Sequence, residues 1–250
     1  METKNMESGG YRYIPGVKQY SAGVAALPGY RIERARFSRP VPIKDGFDLI
    51  GKHLESIGRP LTAFCACELR SPGQFSEEGF IAFNEAYTSR LREWQIMSGD
   101  DNPVGRANVC PEFDVPAEPS FYAFAYTVED KDAAPSFVIA GSGEAPEGKG
   151  NYQDHIVRLG ELSTDAMREK AQFVLDEMER RMAHFDAGWA DTTAVQVYCV
   201  HDFHPFIREE MGARGVLRSG ITWYFNRPPV MNLEFEMDCR RVTREFVLEA

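Results

Sequence analysis

Residues 232–242 read NLEFEMDCRRV, and residues 120–128 read SFYAFAYTV. The first alternates apolar and polar side chains with period two and the second is almost continuously apolar, which predicts strands of a sheet packed on helices. The same elements precede each of them in the same order. Residues 42–57, PIKDGFDLIGKHLESI, set Phe47, Ile50 and Leu54 on one helical face. Residues 163–184 do the same with Met167, Ala171, Val174, Leu175 and Met178, behind Ser163 as N-cap. A turn and a strand follow in each half, at 61–69 and 192–200, aligned by Thr62-Ala63 and Thr193-Ala194. A second helix is predicted from Ser76 (SEEGFIAFNEAYTSRLREW) and a shorter one from Pro205 (PFIREEMGARG). An arginine near a strand start then recurs, Arg106 in NPVGRANV and Arg218 in VLRSGIT. Strands also lead into each half, GVAAL and RIERARF within 20–37 and SFVIAGSG at 136–143.

The order β-β-α-β-α-β-β thus occurs twice at a spacing of about 120 residues. It predicts an α+β layer architecture, each domain a mixed sheet with helices on one face, rather than an eight-stranded α/β barrel. The charged stretch EDKDAAP at 129–135 marks a boundary. An N-terminal extension over 1–19, a first domain over 20–130 and a second over 135–250 follow from it.

The 250 residues carry 28 lysines and arginines against 38 aspartates and glutamates, a formal charge of -10, so attraction to phosphate backbones is weak and no nucleic-acid partner is expected. No apolar run approaches the roughly 20 residues of a membrane helix, and the start METKNMESGGYRY has no signal-peptide core, so no membrane partner is expected either. The cysteines, Cys65, Cys67, Cys110, Cys199 and Cys239, are odd in number and scattered, as in a reducing cytoplasm. Cys65 and Cys67 stand two apart, so a regular strand points them the same way, without the spacing of a zinc-chelating pair. They are read as buried thiols, and no metal site is expected.

Four features in combination resemble the Rid family, the small RidA/YjgF-type proteins that hydrolyse reactive enamines and imines. They are the turn Gly141-Ser142-Gly143-Glu144-Ala145-Pro146, the stretch VQVYCVHDFHPF at 195–206, Arg218-Ser219, and LEFEMDC at 233–239. The resemblance implies two tandem Rid-like (chorismate-mutase-like) domains, the first divergent. It implies that Arg218 binds a substrate carboxylate and that Glu234, on the closing strand, assists water. In the first half Arg106 occupies the arginine position and Asn84, in FNEAY, matches an asparagine of the family's second helix, while Ser120 or Phe121 stands where a glutamate is required. One complete pair per chain implies a composite pocket between unlike halves, or a second half that keeps the chemistry beside a structural first half. The resemblance further implies a homo-oligomer of threefold assembly. Rid-like deaminases of catabolic pathways act on 2-aminomuconate, a dicarboxylate enamine. The expected function is therefore a cytoplasmic, cofactor-independent hydrolytic deaminase of 2-aminomuconate or a substituted one in aromatic-compound catabolism. Clearance of 2-aminoacrylate-type imines is the next reading, and a non-catalytic ligand-binding or interaction protein of the Rid fold is the alternative.

The residue types suit that chemistry. Arginine offers a planar fork that meets a carboxylate bidentately. A glutamate takes a proton from water and returns it to the departing nitrogen. Glu236 shares a strand face with Glu234 and competes for the same role. Ser142 and Gly143 offer backbone N–H groups to a substrate oxygen, or merely end a strand. A dicarboxylate engages two arginines, Arg106 and Arg218, which also make a pocket locally positive in an acidic protein.

Three other features point nowhere specific. Residues 143–150, GEAPEGKG, nearly spell a phosphate loop, but Gly150 replaces the magnesium-binding Ser or Thr and two glutamates would face the phosphates. His201 and His204, around Asp202, fit no strong metal motif. Trp94, Trp189 and Trp223 are read as core or interface anchors.

Overall fold

In the computed structural model, which describes residues 2–149 and 152–250, three strands come first: β1 (Lys4–Met6), β2 (Tyr11–Ile14) and β3 (Gly23–Ala26). The long β4 (Tyr30–Pro42) then leads into α1 (Ile43–Ser56), followed by β5 (Phe64–Arg70), α2 (Glu77–Glu93), β6 (Gly105–Pro111) and β7 (Ser120–Glu129). The remainder comprises β8 (Phe137–Gly143), α3 (Thr164–Ala183), β9 (Ala194–Cys199), β10 (Thr222–Tyr224), β11 (Asn226–Arg227), β12 (Phe235–Arg241) and β13 (Glu245–Leu248). Both serine caps form, Ser76 Oγ accepting the N–H of Gly79 at 3.1 Å and Ser163 Oγ that of Ala166 at 3.2 Å. The helix expected from Pro205 is instead a succession of 3-10 and π turns, interrupted at Gly215, whose φ is +88°.

The strands assemble into two mixed sheets. One runs β1-β2-β3-β8-β12-β9-β10 and the other β11-β6-β5-β7-β4-β13. Helices α1 and α2 cover the six-stranded sheet, where Phe47, Ile50, Leu54, Tyr87 and Leu91 pack on Phe64, Phe121 and Phe124. Gly46 lets α1 approach, since a Cβ there would strike the Phe121 ring. Helix α3 covers the seven-stranded sheet, Met167, Val174, Leu175 and Met178 meeting Ile139, Val197, Phe235 and Met237. Period-two alternation in β12 sends Phe235, Met237 and Cys239 to this helical side and turns Glu236, Asp238 and Arg240 the other way, yet all six are buried. Their polar face lies against the second sheet.

This arrangement overturns the two tandem Rid-like domains. The sheet holding β8, β9 and β12 takes β1–β3 from the other end of the chain through Gly23↔Ile139, Val24↔Val138 and Ala25↔Phe137. In exchange β13 lies parallel to β4, Glu245 beside Arg34, and β11 pairs with β6. Neither half owns its sheet, so no self-contained unit repeats. Residues 4–14, expected as part of an extension, form two of the strands. Gly150 of the near phosphate loop lies outside the described residues.

Polar groups fill the space between the two sheets, and Arg240–Glu245 and Gln196–Glu68 cross it. Arg34 Nε donates to Glu68 Oε1 at 2.6 Å and Arg240 Nε to Glu245 Oε1 at 2.6 Å. Gln196 Nε2 reaches from β9 to Glu68 Oε2 at 3.2 Å and to Asp238 Oδ1 at 3.0 Å. Burial by itself raises the Glu68 carboxyl, but Arg34, Arg240 and Arg70 outweigh it and hold it at about 2. A carboxyl depressed in the folded state stabilises above its ordinary pKa of 4.5 and loses that contribution as pH falls towards 2. Glu68→Ala removes the nearer partner of Arg34, leaving Glu245 Oε2 at 3.3 Å from Nη1, and is expected to cost about 3 kcal/mol at pH 7, with a smaller deficit at pH 3, read from urea midpoints.

The thiols of all five cysteines are free and buried. Cys65 and Cys67 do not share a face: an irregularity in the β5–β7 register between Phe64 and Ala66 sends Cys65 between the sheets and Cys67 under the helices. No helix among the described residues is long and apolar enough to cross a membrane.

Candidate active site

A cavity of about 340 Å³ opens where β6, β8 and β12 come together, a volume in the range of small-molecule sites. Its roof is tied down by backbone. Phe75 N–H donates to Pro229 O at 2.8 Å and Met231 N–H returns to Phe75 O at 3.3 Å. Gln74 Nε2 also donates to the carbonyls of Pro228 and Val230.

Arg106, on β6, lines this cavity and is 3% exposed. Its guanidinium sits among Tyr87, Tyr20, Phe83 and Phe80, with ring centroids 4.9, 5.2, 5.5 and 5.8 Å away. Those π faces favour a cation but supply no hydrogen-bond acceptor in the plane of the fork. Nη1 and Nη2 are buried and have no hydrogen-bond partner among the described residues. Two residues along the same strand face, Asn108 also lines the cavity. Its Oδ1 accepts from Ser71 Oγ at 2.9 Å, which leaves Nδ2 as a third unpartnered donor. Buried donors of this kind are expensive unless something fills them. The row is complementary to a carboxylate.

Opposite, on β12, stands Glu236, 4% exposed. Burial raises its carboxyl well above the ordinary carboxylate range, reinforced by the negative charges of Asp238, Glu144 and Glu147 and only partly opposed by Arg70. Burial thus favours its protonated, neutral form. The carboxyl lies over Gly141 of β8, where a Cβ would collide with Glu236 Oε1 and come 3.1 Å from Ala107 Cα. The backbone of β6 cannot retreat, so the acid must. Gly141→Ala is therefore expected to lower turnover by about 10- to 100-fold with little change in far-UV circular dichroism, measured as initial rates at saturating substrate.

Two more carboxylates frame the site. Glu147 lines the cavity, accepts from Tyr20 Oη at 2.9 Å and lies 2.9 Å from Arg181 Nη2. Glu144, fully buried, accepts the N–H groups of Glu234 at 2.7 Å and Phe235 at 3.1 Å and pairs with buried Lys170 at 3.2 Å. It pins the start of β12, and so sets where Glu236 projects.

Of the residues singled out by sequence, Arg106 and Gly143 reach the cavity. Ser142 is buried beside it with Oγ directed at the Gly143 carbonyl, 3.4 Å away. Asn84 is buried on α2 with Nδ2 on the Phe80 carbonyl at 2.6 Å, and does not line the cavity. Arg218 is exposed, its Nη1 donating to the Ala190 carbonyl at 3.4 Å. Glu234 lies 2.7 Å from His201 Nε2 and 3.4 Å from Arg227 Nη1. Neither Arg218 nor Glu234 lines the cavity, and they share no partner. Glu236, weighed only as the competitor, takes the inward place. Sequence reasoning passed over Glu147, whose GEAPEGKG context reads as a phosphate-loop mimic, and Asn108, whose link to Arg106 is the period-two step along β6.

The family model described as "2-aminomuconate deaminase CnbZ" matches residues 3–246. The 2-amino-5-chloromuconate deaminase of Comamonas testosteroni is 49% identical over 242 residues, 96% of each chain. Among solved structures a chorismatase superposes with a TM-score of 0.55 at 11% identity, covering 88% of this chain and 77% of that one. That likeness bears on fold alone, and it agrees with two large mixed sheets. A cyanuric acid hydrolase gives a TM-score of 0.45 at 10% identity over 87% of this chain and 69% of its own. The resemblance to the Rid family is thereby corrected: the family model, the relative and the topology all lie elsewhere.

Proposed function

The chain belongs to the 2-aminomuconate deaminase family CnbZ, and from that premise we propose that it hydrolytically deaminates 2-aminomuconate or a substituted 2-aminomuconate without needing a cofactor. The observation that carries the reading is one cavity lined both by a guanidinium whose Nη1 and Nη2 have no hydrogen-bond partner among the described residues and by a buried carboxyl pushed towards its protonated form, Arg106 and Glu236. The carboxylate beside the amino-bearing carbon lies on Arg106 and Asn108. Lys149, at the exposed rim, provides positive charge for the distal carboxylate.

Held in this way, the enamine presents its nucleophilic carbon to Glu236. Proton transfer from the carboxyl makes the C–H bond, and the nitrogen lone pair closes the C=N bond of an iminium. Water then adds at that carbon, and the carbinolamine collapses to a 2-oxo acid and ammonia. Each step is proton transfer or addition of water, which side chains supply unaided. Ammonia and 2-oxo product should form one to one from freshly generated 2-aminomuconate or 2-amino-5-chloromuconate, at rates unchanged after exhaustive dialysis against a chelator. No ammonia above the protein-free rate from either substrate defeats the deaminase reading, and loss on dialysis that added metal restores defeats cofactor independence.

A further inference from the structure

Hydrolysis needs a group to take a proton from water after Glu236 has given one away, and the geometry points to Glu147 as that general base, positioned by Arg181 and Tyr20. The inference rests on the deaminase reading above. Glu147 lines the same cavity as Glu236, and its side chain is 19% exposed, enough to meet water. Its closest contacts, from Tyr20 Oη and Arg181 Nη2, both fall on Oε1, and among the described residues no hydrogen bond reaches Oε2, which can accept a proton.

Arg181 is fully buried and hydrogen-bonded through Nε and Nη1, while Nη2 meets Glu147 as an ion pair without a hydrogen bond. Nε donates to Glu177 Oε1 at 2.7 Å, and Nη1 donates to the carbonyl of Ala140 at 3.1 Å and, more weakly, to that of Gly141 at 3.4 Å. The cation is therefore fixed to the strand over which the Glu236 carboxyl lies, and it locates one carboxylate relative to the other. Tyr20 adds a second link, its ring against Arg106 and its hydroxyl on Glu147. Glu147 is ion-paired with Arg181, whereas among the described residues no cation pairs with Glu236.

The cycle balances. Glu236 protonates carbon and becomes a carboxylate. Water's oxygen forms the C–O bond as the C=N π pair returns to nitrogen, and Glu147 takes the water proton. Glu147 passes that proton to the carbinolamine nitrogen. The C–N bond then breaks with its pair on nitrogen, the carbonyl forms, and the hydroxyl proton restores Glu236. Water is consumed, ammonia leaves, and both carboxyls are reset.

Rates of ammonia release and of deuterium uptake from D₂O into recovered substrate separate the two halves of this cycle. In Glu147→Gln, ammonia release is expected to fall about 100-fold while deuterium uptake persists, because the iminium forms and returns. Parallel loss of both, or wild-type ammonia release, overturns the assignment of Glu147. Should that variant fail to fold, Tyr20→Phe decides: it keeps the ring on Arg106 and removes the hydroxyl, and about a tenfold loss of ammonia release with uptake retained is expected. Unchanged release in Tyr20→Phe counts against the assignment. Wild-type protein that releases no ammonia overturns the deaminase reading itself, a result distinct from either.

Discussion

Arg106→Met is expected to lower kcat/KM for an aminomuconate by about 10³, since two charge-assisted hydrogen bonds at roughly 1.5–3 kcal/mol each are lost. The same variant is expected to melt no lower than wild type, and this pairing is the sharper part. Arg106 is a buried cation whose Nη1 and Nη2 have no hydrogen-bond partner among the described residues, and such a charge costs several kcal/mol to bury. The four surrounding rings return part of that. Methionine fills comparable space and packs well against the same rings. Thermal melts with and without a dicarboxylate decide it: the ligand should raise the wild-type Tm and leave that of the variant unchanged. A structural arginine would give the reverse, a lower Tm with activity largely kept.

Glu236→Gln is expected to reduce kcat by about 10³ with KM little altered, because glutamine matches the neutral acid in shape and charge but has no proton to give. Its effect on stability has a definite sign. The folded carboxyl is raised well above 4.5 while the unfolded one ionises near it, so the folded state holds the extra proton and wild-type stability declines as pH rises from 4.5. Glutamine carries no such penalty. The variant should equal wild type near pH 4 and exceed it increasingly through neutrality, until the folded carboxyl itself ionises. Wild-type turnover should fall as pH rises through the raised pKa of the folded carboxyl and that proton is lost, and a residual rate in the variant should lack this limb.

Periodicity revealed much of this molecule, though not which side of a strand meets water. The seams of α1 and α3 and the serine cap of α3 form as expected. In β12 the alternation was legible, but it does not say what covers the polar set Glu236, Asp238 and Arg240. The structure buries that set against a second sheet, because polarity in sequence reports chemistry and not exposure. Strand partners were less accessible still. That β3 lies beside β8, and β13 beside β4, depends on contacts between residues more than 100 positions apart.

The site divides along the same line. Arg106 and Arg218 stand in similar arginine-near-strand contexts, and nothing local separates them. Burial does, placing one in an aromatic-walled cavity and the other on an exposed 3-10 turn. Glu234 and Glu236 differ by one step of strand period, and the step decides which enters the cavity. Glu147 lies in a glycine-rich loop without periodicity, so its alignment with Tyr20 and Arg181 emerges only in three dimensions.

A crystal structure with muconate, which lacks the amino group and cannot be deaminated, tests the shared role of Arg106 and Glu236 most directly. One carboxylate is expected within about 3 Å of both Nη1 and Nη2 of Arg106, with an adjacent olefinic carbon facing the Glu236 carboxyl. Muconate bound instead at Arg218 or beside His201, Glu234 and Arg227, with the Arg106 guanidinium still unpaired, would contradict the account.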